Sequence, residues 1–381
     1  MRTTPVVLVT GVAPEAMAAA TIALQWDLPD AVVVHHRIDV GRSVLLRTVS
    51  DVSGVVEDER IDLEHACVSC AIREDIVPTL VRLAAAERWG AVVAQLPAGA
   101  EAQQVCRVAA RDARLRHVRI AGVVCAIDGD RLADDLLGDE LLCERGVHTS
   151  ADDRRGVAEV GAAQVEYADA VTIAGTAGTA ELELIRTLAR PGALVSGSAG
   201  SAGSAGSAGE AGAGDEAGRA GDGGVDAGRL LAGLHDHAAA EAWVAQVRPG
   251  PLPAYAGGHV WRLDLRSDRP FHPDRLYAGI ADLGGGPRRS RGCFWLPTRS
   301  GVACAWDGAG GQLSIGVAEP WGRRRPFTRI VVTGMDDGRG ELAAAFQRCL
   351  LDDAELRRRG AYWEAAGDGF EAWLGDIHSS L

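Results

Sequence analysis

The chain has 381 residues, a formal charge of −13, and Arg for all 39 of its basic residues; it contains no Lys and no Asn. The length allows two domains with sizeable cores. The acidity argues against bulk nucleic acid, DNA included, as a partner, and the lack of Lys excludes a Schiff-base lysine or a phosphate-loop lysine. No apolar run reaches the roughly 18 residues of a membrane span, and MRTTPVVLVT does not read as a signal peptide. A cytoplasmic protein with no membrane partner is expected.

In chain order, strands are predicted at 5–10, 31–39, 90–97, 120–128 and 168–175, with helices at 15–24, 74–88, 100–113, 128–144 and 152–166 between them. The strand runs are rich in Val and Ile on both faces, which marks a parallel sheet covered by helices. This half reads as an α/β doubly wound domain over 1–195. Residues 196–228 include SAG four times in succession and cannot bury a core, so a flexible linker is expected there. A connecting segment over 229–256 carries an amphipathic helix at 230–247. From 257 to 381 a smaller α+β domain is predicted, with strands in GHVWRLDLRS, GCFWLPTRS, VACAWDG and QLSIGVAE, and a helical tail over 338–350 and 352–374.

The first turn carries an incomplete nucleotide signal. VTGVAPEAMAAAT follows a strand and opens a helix, where a phosphate loop G-x-x-x-x-G-K-S/T would sit. Gly11 fits the first position. Ala16, Met17 and Ala18 stand where Gly, Lys and the hydroxyl belong. Met17 cannot donate to phosphate and Ala18 cannot ligate Mg²⁺. Pro14 removes a backbone donor, and Glu15 repels a triphosphate.

The strongest local signal is LEHACVSCAIREDIVPTLVRL at 63–83. Cys67 and Cys70 can share one Zn²⁺ in a tight turn, and the helix start beside them favours thiolate. Two cysteines supply half a tetrahedral site; Glu64, His65 or a distant residue must complete it. Buried structural cysteines are the bland alternative. His35 and His36, at a strand end, read as polar edge residues. His235-Asp236-His237, on a presumed helix, reads as a poor chelate because i and i+2 do not share a face. Trp261, Phe271, Phe294, Trp295 and Trp306 read as the core of the second domain. Arg288/Arg289/Arg291, Arg323–Arg325 and Arg357–Arg359 are basic clusters suited to rRNA or an acidic partner, or else solvated faces.

The turn Ala66-Cys67-Val68-Ser69-Cys70-Ala71-Ile72-Arg73-Glu74-Asp75-Ile76 resembles the GCxCC-T-x-R-x-D-L loop of the CobW family of P-loop GTPases and metallochaperones, with Ser69 at the middle cysteine. DRRGVAEVGAAQVEYADAVTIAG, RPFHPDRL and SRGCFWLPTR resemble further family segments, the last two from its C-terminal domain. The resemblance implies a P-loop NTPase-like domain followed by a CobW C-terminal domain. It implies Zn²⁺, and GTP with Mg²⁺, as ligands. The family's Walker B acid aligns with Gln95, and its base motif NKxD with Ala174-Gly175-Thr176-Ala177, so contacts to magnesium and base are missing as well as those to phosphate. A pseudo-GTPase is expected. VVVHHRID and LEHACVSC also resemble an actinobacterial branch that recruits a ribosome hibernation factor under zinc limitation. That likeness implies a zinc-responsive adaptor with the hibernation factor or the small ribosomal subunit as partner. The alternatives are a GTP-dependent zinc metallochaperone serving a client protein, and a CxxC thiol-redox protein.

Overall fold

The computed structural model describes residues 3–65, 67–197, 225–255 and 257–377; the expected Ser-Ala-Gly linker falls largely outside them. They form two compact units. The first comprises Met1–Leu132, His148–Asp152 and Tyr167–His237, the second Ala133–Val147, Asp153–Glu166 and Ala238–Leu381. No helix among the described residues is long and apolar enough to cross a membrane.

In the first unit, β1 (Thr4–Gly11), β2 (Ala31–Asp39), β3 (Val44–Asp51), β4 (Gly54–Asp62), β5 (Ala91–Gln95), β6 (Val118–Asp128), β7 (Ala170–Ala174) and β8 (Leu194–Ser196) make one sheet in the order β4-β3-β2-β5-β1-β6-β7-β8. From β2 to β8 the neighbours run parallel, as the Val-rich runs predict. β3 and β4 are not anticipated by the sequence and add an antiparallel wing, so the sheet is mixed. β4, GVVEDERID, escapes prediction because nearly all of it is exposed and it lacks apolar alternation.

Helix α1 (Pro14–Asp27) lays Ala16, Met17, Ala20 and Leu24 into a core with Val7, Val9, Val93 and Val124. α2 (Val68–Ala71), a π-helical turn at Ile72–Ile76 and α3 (Val77–Ala85) follow one another without a break. The helix predicted from 74 therefore starts at Val68, inside the CxxC turn. The helix predicted at 230–247 is two, Ala227–Gly233 and His237–Val244, because Gly233 adopts φ +102° and ends the first.

The second unit is α+β, as expected. β9 (Trp261–Ser267), β10 (Arg288–Phe294), β11 (Val302–Ala309), β12 (Gln312–Pro320) and β13 (Thr328–Gly334) form an antiparallel sheet in the order β12-β11-β10-β13-β9. Phe271, Phe294, Trp306, Phe346 and Phe370 are the largest of its fully buried side chains. The Trp306 indole donates to Ser290 Oγ at 3.0 Å, which satisfies its one buried donor. Trp295 lies in a second cluster with Trp321 and Phe327, and Trp261 is half-buried beside the main one. The tail predicted as a helix over 352–374 holds only Asp353–Arg359 and Glu371–Leu374, since Gly360 and Gly369 take positive φ between them.

That tail is integral to the second unit. Asp368 accepts from Arg299 Nε at 2.8 Å and Nη2 at 3.1 Å, and from Thr298 Oγ1 at 2.7 Å. Both charged side chains are fully buried. Removing one partner of such a pair strands the other. Asp368→Ala is expected to cost about 3–5 kcal/mol, read as a drop in the urea midpoint.

Candidate functional site

Cys67 is the N-cap of α2. Its backbone is extended (φ −147°), and its Sγ accepts the Cys70 N–H at 3.3 Å. Cys67 is half-buried and Cys70 buried. The neighbouring Cys67 sulfur, with burial behind it, pushes the Cys70 thiol up: two sulfurs compete for proton and hydrogen bond. Arg73 Nη2 lies 3.9 Å from Cys70 Sγ and also reaches Glu64 (3.4 Å) and Glu74 (2.8 Å). The structure thus brings Cys67 and Cys70 together, sets Glu64 against Arg73, and leaves His65 exposed next to the pair. Among the described residues no three His, Cys, Asp or Glu side chains converge as a metal cluster. The fit to a soft cation rests on two adjacent sulfurs at a helix start. Elsewhere burial pushes the thiols of Cys125, Cys293 and Cys304 up to about 12, which makes them inert.

Behind the turn lies a buried polar lock that the sequence did not suggest. Asp75, in the π-helical turn, meets His36 Nε2 at 3.0 Å and accepts from Arg47 Nη1. Arg47 also donates to Thr79 Oγ1 (3.0 Å) and Glu59 (2.6 Å), and Arg82 makes two bonds to Glu57 at 2.5 and 2.6 Å. The lock joins β2, β3 and β4 to the helix that carries the thiols. His36 is no edge residue but fully buried. Burial of the half-buried His35, with His36 and Arg37 adding to it, holds its pKa down.

The nucleotide frame has changed in its backbone as well as its side chains. α1 begins at Pro14, so only Val12 and Ala13 separate it from Gly11, and Met17 N–H already donates to Ala13 O at 3.0 Å. Pro14 has no N–H to offer, and the Met17 N–H is spent inside the helix. Ala16 is buried, Ala18 exposed, and Met17 fully buried over Gly11, where an added Cβ would stand 2.8 Å from Met17 Cγ. Gln95 is buried and accepts from Thr21 Oγ1 at 2.8 Å. At the base position Gly175 has φ +81°, and Thr176 Oγ1 donates to Asp130 Oδ1 at 2.9 Å. A Cβ on Gly129 would stand 2.6 Å from Thr176 O, and the loop bearing Ala174 and Gly175 closes on the 129–131 turn.

The first basic cluster is not a surface. Arg289 pairs with Glu166 at 2.9 and 3.0 Å and with Asp307, Arg291 with Glu166 at 3.3 Å, and Arg288 with Asp336 at 2.5 Å. Strand alternation in β10 hid this, because an RRSR run looks solvated until acids are found across the fold. Arg323–Arg325 and Arg357–Arg359 are exposed. His235 Nδ1 lies 3.0 Å from Asp169, and His237 Nδ1 3.0 Å from Tyr167 OH. The helix starts only at His237, so the two rings do fall near each other, 6.1 Å apart.

Residues 39–190 match the CobW/HypB/UreG nucleotide-binding domain, and residues 260–350 match the cobalamin synthesis protein cobW C-terminal domain. The chain belongs to the CobW family. The nucleotide-domain match of this CobW chain begins after β1 and α1, the elements that hold the altered loop. The zinc chaperone Rv0106 of Mycobacterium tuberculosis (strain ATCC 25618 / H37Rv) is 29% identical over 390 residues, covering 91% of this CobW chain and 88% of that protein. The uncharacterized protein Mb0109 of Mycobacterium bovis matches to the same extent. Among solved structures, the Zn(II)-bound YjiA GTPase from E. coli is similar with 14% identity and a TM-score of 0.36, over 92% of this chain and 99% of that one.

Burial works against the Asp75 carboxylate, but His36 and Arg47 outweigh it and hold its pKa below the ordinary value. Its contribution to stability is therefore complete above about pH 4 and drains away as pH falls through the depressed folded value. Asp75→Asn is expected to cost about 3 kcal/mol at neutral pH and to flatten that acid limb, measured by urea unfolding at stepped pH.

Proposed function

We propose that this CobW-family protein carries zinc on the Cys67–Cys70 turn and delivers it to, or signals it through, a client protein, without turning over nucleotide. The observation that carries this reading is the turn itself: two adjacent sulfurs at the start of a helix, one half-buried and one buried. Zinc is cargo here. The thiolates of Cys67 and Cys70 hold it as soft ligands, with Arg73 nearby to offset their charge. Glu64 and His65, exposed beside the sulfurs, are positioned in sequence to complete the set. Zinc also ties the turn to the helix behind it, and so links occupancy to the conformation that a partner meets. The likeness to a protein named as a zinc chaperone supports the metal assignment.

The early start of α1 and the buried Met17 support a loss of GTP and Mg²⁺ binding. An adaptor role at the small ribosomal subunit with a hibernation factor is a narrower form of the same proposal. It gains nothing from Arg288, Arg289 and Arg291, which are consumed by internal ion pairs.

One observation favours a second reading. Cys67 at the N-cap, accepting the Cys70 N–H, with a buried partner thiol behind it, is also an arrangement for thiol–disulfide exchange. Alkylation after mild oxidation separates the two: a reversible Cys67–Cys70 disulfide formed in zinc-loaded protein favours redox chemistry.

The purified protein is expected to bind close to one equivalent of Zn²⁺ and to lose it in the double variant Cys67→Ser, Cys70→Ser. Calorimetric titration with GTP and Mg²⁺ is expected to be silent with and without zinc. Unchanged zinc content in the double variant would remove the carrier reading, and low-micromolar GTP binding would restore a GTP-driven metallochaperone.

A further inference from the structure

β4 is the outer strand of the first unit's sheet, with β3 on one side and no strand among the described residues on the other. An open edge is a row of backbone donors and acceptors that another strand can pair with. Seven of the nine residues of β4 are exposed, so the edge is uncovered along almost its whole length. Its chemistry is uneven. At the hairpin end Val55 is 67% and Val56 38% exposed. Beyond them come Glu57, Asp58, Glu59 and Asp62 against a single Arg60. Glu57 is turned to Arg82 and Glu59 to Arg47, Asp58 accepts from Thr48 Oγ1 at 3.1 Å, and Asp58, Glu59 and Asp62 all stay exposed at the surface. The far end continues through Leu63, whose N–H donates to Ser43 O at 3.1 Å, straight into the thiol turn.

A second copy of this chain is a poor occupant. Antiparallel self-pairing centred on Asp58 sets Glu57 against Glu59 and Asp58 against itself, and parallel pairing stacks every carboxylate on its twin. Like charges directly opposite each other are destabilising. The same carboxylates favour a basic strand.

We propose that β4 is a docking edge for the client: an extended, basic segment of a partner protein adds to the sheet beside β4, with cationic side chains near Asp58, Glu59 and Asp62 and apolar ones near Val55 and Val56. Backbone pairing supplies the affinity and the acidic row the selectivity. One end of the added strand then lies at the Cys67–Cys70 turn. This deepens the zinc-carrier reading by naming where the recipient sits, and docking is measured independently of metal.

The test uses the full chain and two short fluorescein-labelled peptides, one alternating lysine with valine and one alternating glutamate with valine. Fluorescence anisotropy is expected to show the lysine peptide binding, more weakly as salt rises, and the glutamate peptide not binding. Val56 has no partner in the β3 ladder, so Val56→Pro spares that ladder while removing a backbone donor. Val56→Pro and Asp58→Arg are each expected to weaken the lysine peptide about tenfold. Both should keep full zinc binding in competition with a chromogenic chelator. If Val56→Pro fails to fold, Asp58→Arg decides alone. No binding to the wild-type chain, equal binding of both peptides, or unchanged binding to Asp58→Arg would overturn the docking edge. Retention of zinc by the double variant Cys67→Ser, Cys70→Ser, with peptide binding intact, would instead overturn the carrier reading and leave the edge standing.

Discussion

The carboxylate of Asp75, buried between His36 and Arg47, fixes the geometry on which the candidate site depends. It sits in the π-helical turn that joins the thiol helix to α3. Its two partners come from adjacent strands, with His36 and Arg47 facing each other across the β2–β3 ladder. A backbone turn with an extra residue is inherently less stable than regular helix and needs outside support. Here the support is an ion pair and a histidine contact inside the sheet. The π-helical turn that follows the thiols is thereby tied to His36, in the carboxyl half of β2. Arg47 extends the same constraint to Glu59, and so to the outermost strand.

The two halves of the frame have been treated differently. On the nucleotide side the groups are engaged internally: Met17 fills the space over Gly11, Gln95 accepts from Thr21, and Thr176 donates to Asp130. Burying a methionine there adds to the core. On the thiol side the polar groups persist and are organised.

Much of this was legible in the sequence because it rests on local pattern. The Val-rich runs gave the parallel strands, the aromatic words gave the core of the second unit, and CxxC gave the thiol turn. What escaped was non-local. β4 carries no apolar alternation, because nearly all of it is exposed. The RRSR stretch of β10 looks solvated until Glu166 and Asp307 arrive from elsewhere. His36 reads as a strand-end polar residue until Asp75, 39 positions on, is folded against it. The tail reads as helix from its charges, but Gly360 and Gly369 override that propensity. Metal ligands beyond the two sulfurs follow from no spacing rule in this chain.

The early start of α1 bears on how such a chain can change over time. A phosphate loop cannot be regained here by exchanging one side chain, since the backbone that would form it is already wound into helix. Such a loop needs the first turn of α1 to unwind and, at the same time, a cation in place of a core methionine. Either step alone harms folding without improving binding. The first strand–helix junction of this chain is therefore committed to core packing, and the polar organisation of the unit lies at the thiols and the lock behind them.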